Sequence, residues 1–132
     1  DIGLVMLDKK SGKLEYTGAK IPLYLYRNEK IEVIKPDRYS VGSTQQRNKV
    51  FTKKEIEYES SNIMYLSSDG YQDQFGGPKN KKFMKKKFRN LLQTVGRLHI
   101  DEQKHQIEET FIQWRGGNPQ TDDILVIGFK IS

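Results

Sequence analysis

The chain contains no cysteine, only two histidines and no long hydrophobic run. Without cysteine it cannot form disulfides, thiolate zinc sites, iron–sulfur clusters or a cysteine nucleophile. Its longest apolar runs, residues 3–7 and 124–129, are far shorter than the roughly 20 residues of a membrane-spanning helix. His99 and His105 are not spaced to lie together on one helix face as metal ligands. We therefore expect a cytoplasmic segment without membrane contact.

The composition is that of one domain or part of one. The 132 residues are 35% hydrophobic and 30% charged, with a formal net charge of +6, so the chain can bury a modest core. Apolar residues begin at Ile2 without a polar leader. We therefore expect that the chain continues a longer protein.

Short apolar or alternating runs separated by turn residues dominate the first half of the chain. This pattern predicts strands joined by hairpins. The polar segment 36–49 is expected to be a long loop between strands. The predicted strands are residues 2–7, 14–17, 22–26, 31–34, 51–58 and 63–66.

After Gly77 the apolar spacing becomes helical. It predicts an amphipathic helix over residues 81–95. A second helix is expected to start at an N-cap, Asp101, and to stop at residues 116–119, with Ile107, Phe111 and Trp114 on its inner face. Residues 124–131 predict a fully buried strand. The predicted fold class is α+β, with an antiparallel sheet carrying two helices on one face.

Eight basic residues and no acidic residue lie between Lys79 and Arg97. One interpretation is a surface that binds an acidic partner or a phosphate backbone. The simpler interpretation is a solvated helix face, and the absence of interleaved surface aromatics argues against nucleic-acid binding. A non-catalytic protein-binding module that uses helix 79–97 therefore stays open as an alternative function.

Two acidic motifs stand at the ends of apolar segments. Asp69-Gly70 follows residues 63–68, and Asp122-Asp123 directly precedes residues 124–131. Each motif alone is typical of a turn. If the two strands are neighbours, however, Asp69 and Asp122 converge at one end of the sheet, and clustered carboxylates favour Mg²⁺ or Mn²⁺.

These motifs, in this order, resemble a known family. The segments 51–56, 63–77 and 121–127 are similar to the C-terminal half of a PPM-type (protein phosphatase 2C-like) serine/threonine phosphatase, in the bacterial stage II sporulation protein E branch. Residues 14–25, with Gly18-Ala19 and Pro22, resemble that branch's Gly-Ala-x-x-Pro strand pair. The resemblance implies that residues 1–132 are the C-terminal portion of one PPM-type αββα sandwich. The family's Gly-Asp-x-x-Gly-His-Gly segment, from the N-terminal half, has no match here.

The resemblance also implies a chemistry. Asp69, Asp122 and Asp123 would belong to a binuclear Mn²⁺ or Mg²⁺ site, with Asp73 as a lesser candidate. A metal-activated water would remove phosphate from phosphoserine or phosphothreonine on a signalling protein, such as a regulator of a sigma factor. An upstream sensory domain is expected in the parent chain, and this segment alone is expected to be poorly active. Apolar sheet surface left uncovered would favour self-association.

Overall fold

Two antiparallel sheets pack face to face in the structure, a computed structural model that describes residues 1–42 and 48–132. In spatial order, the three-stranded sheet consists of β1 (Ile2–Asp8), β2 (Lys13–Ala19) and β5 (Lys54–Ile56). In spatial order, the four-stranded sheet consists of β4 (Lys30–Ile34), β3 (Leu23–Arg27), β6 (Ile63–Ser67) and β9 (Val126–Lys130). All neighbouring strands in both sheets are antiparallel.

Helices cover the outer face of the four-stranded sheet. They are α2 (Lys85–Val95) and α3 (Ile100–Arg115). A one-turn helix, α1 (Gly70–Asp73), follows β6, and a small two-stranded sheet of β7 (Phe75–Gly76) and β8 (Lys81–Lys82) links α1 to α2. In the part of the chain that the structure describes, no helix is both long enough and apolar enough to cross a membrane.

Each face of the four-stranded sheet has its own core. The core under the helices is rich in aromatic residues and contains Tyr24, Tyr26, Ile31, Ile63, Tyr65, Tyr71, Phe83, Phe88 and Leu92. The core between the sheets contains Leu14, Tyr16, Leu23, Leu25 and Met64. Strands β3 and β6 contribute side chains to both cores because successive residues of a strand point to opposite faces. The predicted α+β class, with an antiparallel sheet and two helices on one of its faces, is confirmed.

Both predicted hairpins form, and the inner face predicted for the second helix packs on the aromatic core. The predicted start of the first helix at residue 81 is wrong. Residues 81–82 form β8 instead, because the chain pairs with the segment after α1. The N–H of Phe83 donates to the Gln74 carbonyl at 3.0 Å, and the N–H of Met84 donates to the Gln72 carbonyl at 2.8 Å.

Two other boundaries and the burial of one strand differ from the predictions. The N-cap of α3 is His99, whose ring nitrogen accepts from the N–H of Asp101, so Asp101 is not the cap. The strand predicted over 51–58 shrinks to β5. The last strand, expected to be fully buried, lies at a sheet edge in the described chain, where Leu125 and Ile127 are exposed. The predicted loop 36–49 has no helix or strand among its described residues, and its residues 43–47 lie outside them.

Candidate metal-binding cleft

Strands β6 and β9 are neighbours, so the two acidic motifs lie at the same end of the sheet. The register pairs Ser67 with Val126. Asp69 comes two residues after Ser67 in one strand, and Asp123 three residues before Val126 in the other. The assumption that placed Asp69 and Asp122 together in the sequence analysis, that their strands are adjacent, is therefore met.

Ser68 ties the two acidic turns together. Its backbone N–H donates to the Leu125 carbonyl at 2.9 Å. Its hydroxyl donates to the Asp123 carbonyl at 3.1 Å and accepts from the Leu125 N–H at 3.0 Å. Three hydrogen bonds from one residue thus fix the backbone on both sides of the acidic pair, and this pre-positions the carboxylates without using them.

Gly70 allows the two turns to approach this closely. A Cβ atom at this position would lie 2.3 Å from the Asp123 carbonyl oxygen and 3.0 Å from its carbonyl carbon. Both contacts are with backbone, which cannot move aside as a flexible side chain can. Glycine in the Ser-Asp-Gly motif is thus a packing requirement, and any larger residue would push the two acidic turns apart.

The predicted ligand side chains differ in their surroundings. Asp69, Asp122 and Asp123 are all exposed. The Asp122 carboxylate accepts from the N–H of Asp123 at 2.7 Å, while those of Asp69 and Asp123 have no hydrogen-bond or ion-pair partner within residues 1–42 and 48–132. Asp73, the lesser candidate, is paired with Lys82 at 3.2 Å. Asp73 therefore already has a cationic partner within the protein.

The donor chemistry of these turns fits a hard cation, since carboxylate oxygens are the ligands that Mg²⁺ and Mn²⁺ prefer. The number of donors is small. Among the described residues, no group of three or more histidine, aspartate or glutamate side chains is placed to hold a metal ion. Asp69, Asp122 and Asp123 offer carboxylate oxygens at one end of the sheet, but fewer donors than a complete coordination shell needs.

A cleft of about 940 Å³ opens beside Asp69. Its cationic lining side chains are Lys20, Lys35, Arg38, Lys85, Lys86 and Arg89. Three acidic residues also line it, and two of them are engaged: Asp37 accepts from Thr52, and Asp1 accepts from Ser40 at 2.9 Å. The third is Asp69. The cleft is therefore positively charged, with one unpaired carboxylate at the acidic turns.

Sequence reasoning missed Ser68 and the cationic residues from the first half of the chain. Ser68 had a usable signal, because it directly precedes the Asp-Gly pair. Lys20 had no such signal, because its positive φ of 64°, in the tight connection from β2 to β3, is visible only in the structure. Nothing in the local pattern around Lys35 or Arg38 pointed to Asp69, which lies 34 and 31 residues further along the chain.

The family of the chain follows from comparison with known proteins. A family model described as stage II sporulation protein E matches residues 2–132. The chain belongs to this family. The family resemblance given by the motifs is therefore confirmed. A search of curated proteins found no match.

Solved structures of related domains have the same fold. The SiaA-PP2C domain of Pseudomonas aeruginosa is 30% identical with a TM-score of 0.88, and the match covers 98% of this chain and 51% of that one. The Mn-presoaked SpoIIE phosphatase domain of Bacillus subtilis is 14% identical, with a TM-score of 0.68 and coverage of 98% and 56%.

A third structure, the serine/threonine phosphatase PstP/Ppp of Mycobacterium tuberculosis, is 17% identical with a TM-score of 0.60, covering 96% and 57%. The latter two similarities show the fold alone. The chain spans about half the length of the related domains it matches.

Proposed function

We propose that this chain supplies part of the active site of a metal-dependent phosphoprotein phosphatase that hydrolyses phosphoserine or phosphothreonine on a signalling regulator. The observation that carries the proposal is the pair of acidic turns, joined by Ser68, at the edge of a cationic cleft. Membership of the stage II sporulation protein E family and similarity to PP2C domains support this reaction class.

In this proposal, Asp69 and Asp122 hold Mn²⁺ or Mg²⁺, and Asp123 contributes a further ligand or orients one. A bound pair of such cations supplies a water of lowered pKa and neutralises charge on the phosphoryl oxygens. Ser68 and Gly70 hold the two turns in contact. The cationic side chains of the cleft attract the phosphorylated substrate.

We further propose that residues 1–132 are the C-terminal portion of one PPM-type domain, whose other half provides the remaining ligands. The coverage of about half of each related domain supports this assignment. The phosphorylated partner would be a regulator such as one that controls a sigma factor. We also propose that the parent protein has an upstream sensory domain and that this phosphatase domain lies in the cytoplasm.

The test uses the full-length protein that contains this chain. Asp69→Asn and Asp122→Asn should each lower Mn²⁺-dependent phosphopeptide hydrolysis by about 100-fold or more, because each removes a ligand charge. Mn²⁺ affinity, measured by calorimetry, should fall in parallel, while the melting temperature stays level or rises. Asp101→Asn is the matched control, since this exposed carboxylate lies on α3 beside His99. Wild-type turnover in both site variants would contradict the assignment.

The alternative is a binding module without chemistry, and the cationic lining of the cleft favours it as the second candidate. It predicts salt-sensitive binding of a phosphorylated or acidic partner with no dependence on Mn²⁺. Calorimetry with the phosphopeptide, together with the turnover assay, separates the two functions. Binding of phosphopeptide without any Mn²⁺-dependent turnover in the full-length protein would select the module.

A further inference from the structure

The basic residues between Lys79 and Arg97 divide into sets with different surroundings. In one set, each cation has a partner within the protein: Lys82 pairs with Asp73, Lys87 lies 3.9 Å from the centre of the Trp114 ring, and Arg97 lies 3.8 Å from Glu29. The cleft-facing set is Lys85, Lys86 and Arg89. Within the described residues, no acidic side chain forms an ion pair with any of these three.

The cleft-facing set is held rigidly on one helix. Positions 85, 86 and 89 are exposed and lie next to the buried stripe of α2, which consists of Phe88, Leu92 and Val95. The ring of Phe88 packs edge-on against Tyr24, with ring centroids 5.6 Å apart, and at a tilt against Tyr71, with centroids 5.0 Å apart. These contacts fix the rotation of α2 and therefore the direction in which its three cations point.

The arrangement runs against the usual charge preference of a helix. Lys85, Lys86 and Lys87 occupy the first turn of α2, which contains no acidic residue. The N-terminal end of a helix carries a partial positive charge, so cations there are unfavourable and an anion is favourable. The positive potential of this end of α2 adds to that of Lys20, Lys35 and Arg38 in the same cleft.

We propose that Lys85, Lys86 and Arg89 bind acidic side chains that flank the phosphorylated residue of the protein substrate. This inference rests on the proposed phosphatase function, because it places the phosphorylated residue at Asp69 in the same cleft. Charge complementarity selects the partner: an acidic peptide offers separate carboxylates to separate cations. The substrate class is therefore a phosphoprotein whose modified serine or threonine lies within an acidic stretch.

The composition of the cleft disfavours a nucleic acid as the occupant. Among the described residues, the one aromatic residue that lines the cleft is Tyr24, which is only 5% exposed, so these residues offer no platform for base stacking. An extended peptide with alternating neutral and acidic side chains needs no such platform.

The experiment compares two peptides and two charge-matched variants of the full-length protein. The peptides carry one phosphoserine flanked either by glutamates or by glutamines. The cleft variant is Lys85→Ala/Lys86→Ala/Arg89→Ala. The control variant is Lys10→Ala/Lys79→Ala/Lys81→Ala, which removes the same charge from exposed positions outside the cleft. Circular dichroism melting checks that both variants are folded.

Peptide binding is measured by fluorescence anisotropy in EDTA, and turnover is measured with Mn²⁺. We expect the wild type and the control to prefer the glutamate peptide by about tenfold, since three exposed charge contacts each contribute about two- to threefold. In the cleft variant this preference should disappear, in binding and in KM. A preference that survives in the cleft variant, or that falls equally in both variants, would overturn the proposal.

Two further outcomes separate this proposal from its premises. A wild type that prefers the glutamate peptide in EDTA but shows no Mn²⁺-dependent turnover supports the docking surface and overturns the phosphatase function. Tighter binding of a short DNA duplex than of the glutamate peptide at physiological salt, lost in the cleft variant, would overturn the choice of an acidic protein partner.

Discussion

Strands β1 and β6 are both rich in apolar residues and have very different surroundings. Both are nearly continuous apolar runs, and such runs suit a strand that is covered on both faces. In β6 every residue except Leu66 is buried, between the helices and the other sheet. In β1 burial alternates, with Ile2, Leu4 and Met6 exposed by 50%, 61% and 57%. An apolar run therefore shows what a strand can bury, and the neighbouring layers decide what it does bury.

The two sheets also differ in how they are packed. The helix-covered face of the four-stranded sheet contains closely packed aromatic rings. The ring centroid of Tyr71 lies 5.0–5.2 Å from those of Phe83, Phe88 and Phe111. It also contains a buried hydrogen bond, between Tyr65 and Gln103. The outer face of the three-stranded sheet has no covering layer in the described chain. Stability should therefore depend strongly on the first face and weakly on the second.

The largest expected effect comes from a matched pair of leucines. Leu92→Ala, at a fully buried position of α2, should lower the free energy of unfolding by about 2–5 kcal/mol, because it leaves a cavity in the aromatic core. Leu4→Ala, at a position exposed by 61%, should lower it by less than about 1 kcal/mol. Urea unfolding measures both. Equal effects would mean that the outer face of β1 is covered in solution.

The buried tyrosines of both cores should make the folded state less stable at alkaline pH. Burial, aided by the carboxylate of Asp37, raises the pKa of Tyr16 to about 12, and burial raises the pKa of Tyr65 and Tyr71. The unfolded chain releases these protons near pH 10. The folded state therefore holds its full stability below about pH 10 and loses it as the pH rises towards about 12, by about 1.4 kcal/mol per unit for each such tyrosine.

Urea unfolding across this range, with phenolate absorbance recorded in parallel, measures the loss. Tyr16→Phe removes one of these tyrosines, so the free energy of unfolding should fall less steeply with pH. The difference between the two slopes gives the contribution of the tyrosine in the core between the sheets. If all seven tyrosines of the chain titrated together near pH 10 in the folded protein, the argument from burial would be wrong.

A smaller effect is expected from one hydroxyl on the helix-covered side. Tyr65 donates to the side-chain oxygen of Gln103 at 2.6 Å, and Gln103 is only 2% exposed. Tyr65→Phe leaves that oxygen without a donor and should lower the free energy of unfolding by about 1–2 kcal/mol. Tyr39→Phe, at an exposed ring, is the control and should change it by less than about 0.5 kcal/mol.

The smallest effects concern the hairpin turns of the two sheets. In the β3–β4 turn, Glu29 has a φ of 59°, which glycine adopts more readily, so Glu29→Gly should stabilise by about 0.5–1 kcal/mol. In the β1–β2 turn, Gly12 has a φ of 68° and no atom near its Cβ position, so Gly12→Ala should destabilise by about 1 kcal/mol through the backbone alone. Thermal melting measures both changes in stability. Melting temperatures that shift in the same direction in the two variants would contradict this account.

The local elements were predictable because their causes lie within a few residues. The turn at Asn28 and the stop at Gly116 are visible in the sequence, and the helical spacing of Phe88 and Leu92 marks the inner face of α2. The start of α2 was missed because the backbone N–H groups of Phe83 and Met84 donate hydrogen bonds to carbonyls on the far side of a turn. Helical spacing cannot report a competing backbone partner of that kind.

The candidate site was predictable only in part. The acidic motifs with Asp69 and Asp122 are short and could be found by eye, and the family resemblance gave them a role that remains a prediction. The cleft could not be found, because Lys20 and Arg38 reach it only after β3 and β6 pair across the fold. Its charge is a property of the tertiary arrangement and of no single segment.

The hydrogen bonds of Ser68 also set an order of events during synthesis. They join residues 55 and 57 positions apart in the chain, so their formation requires closure of a long loop. A nascent chain that has emerged only as far as α3 has Asp69 but lacks its partner turn. The acidic pair is assembled when the last strand docks, so the candidate site marks completion of the fold.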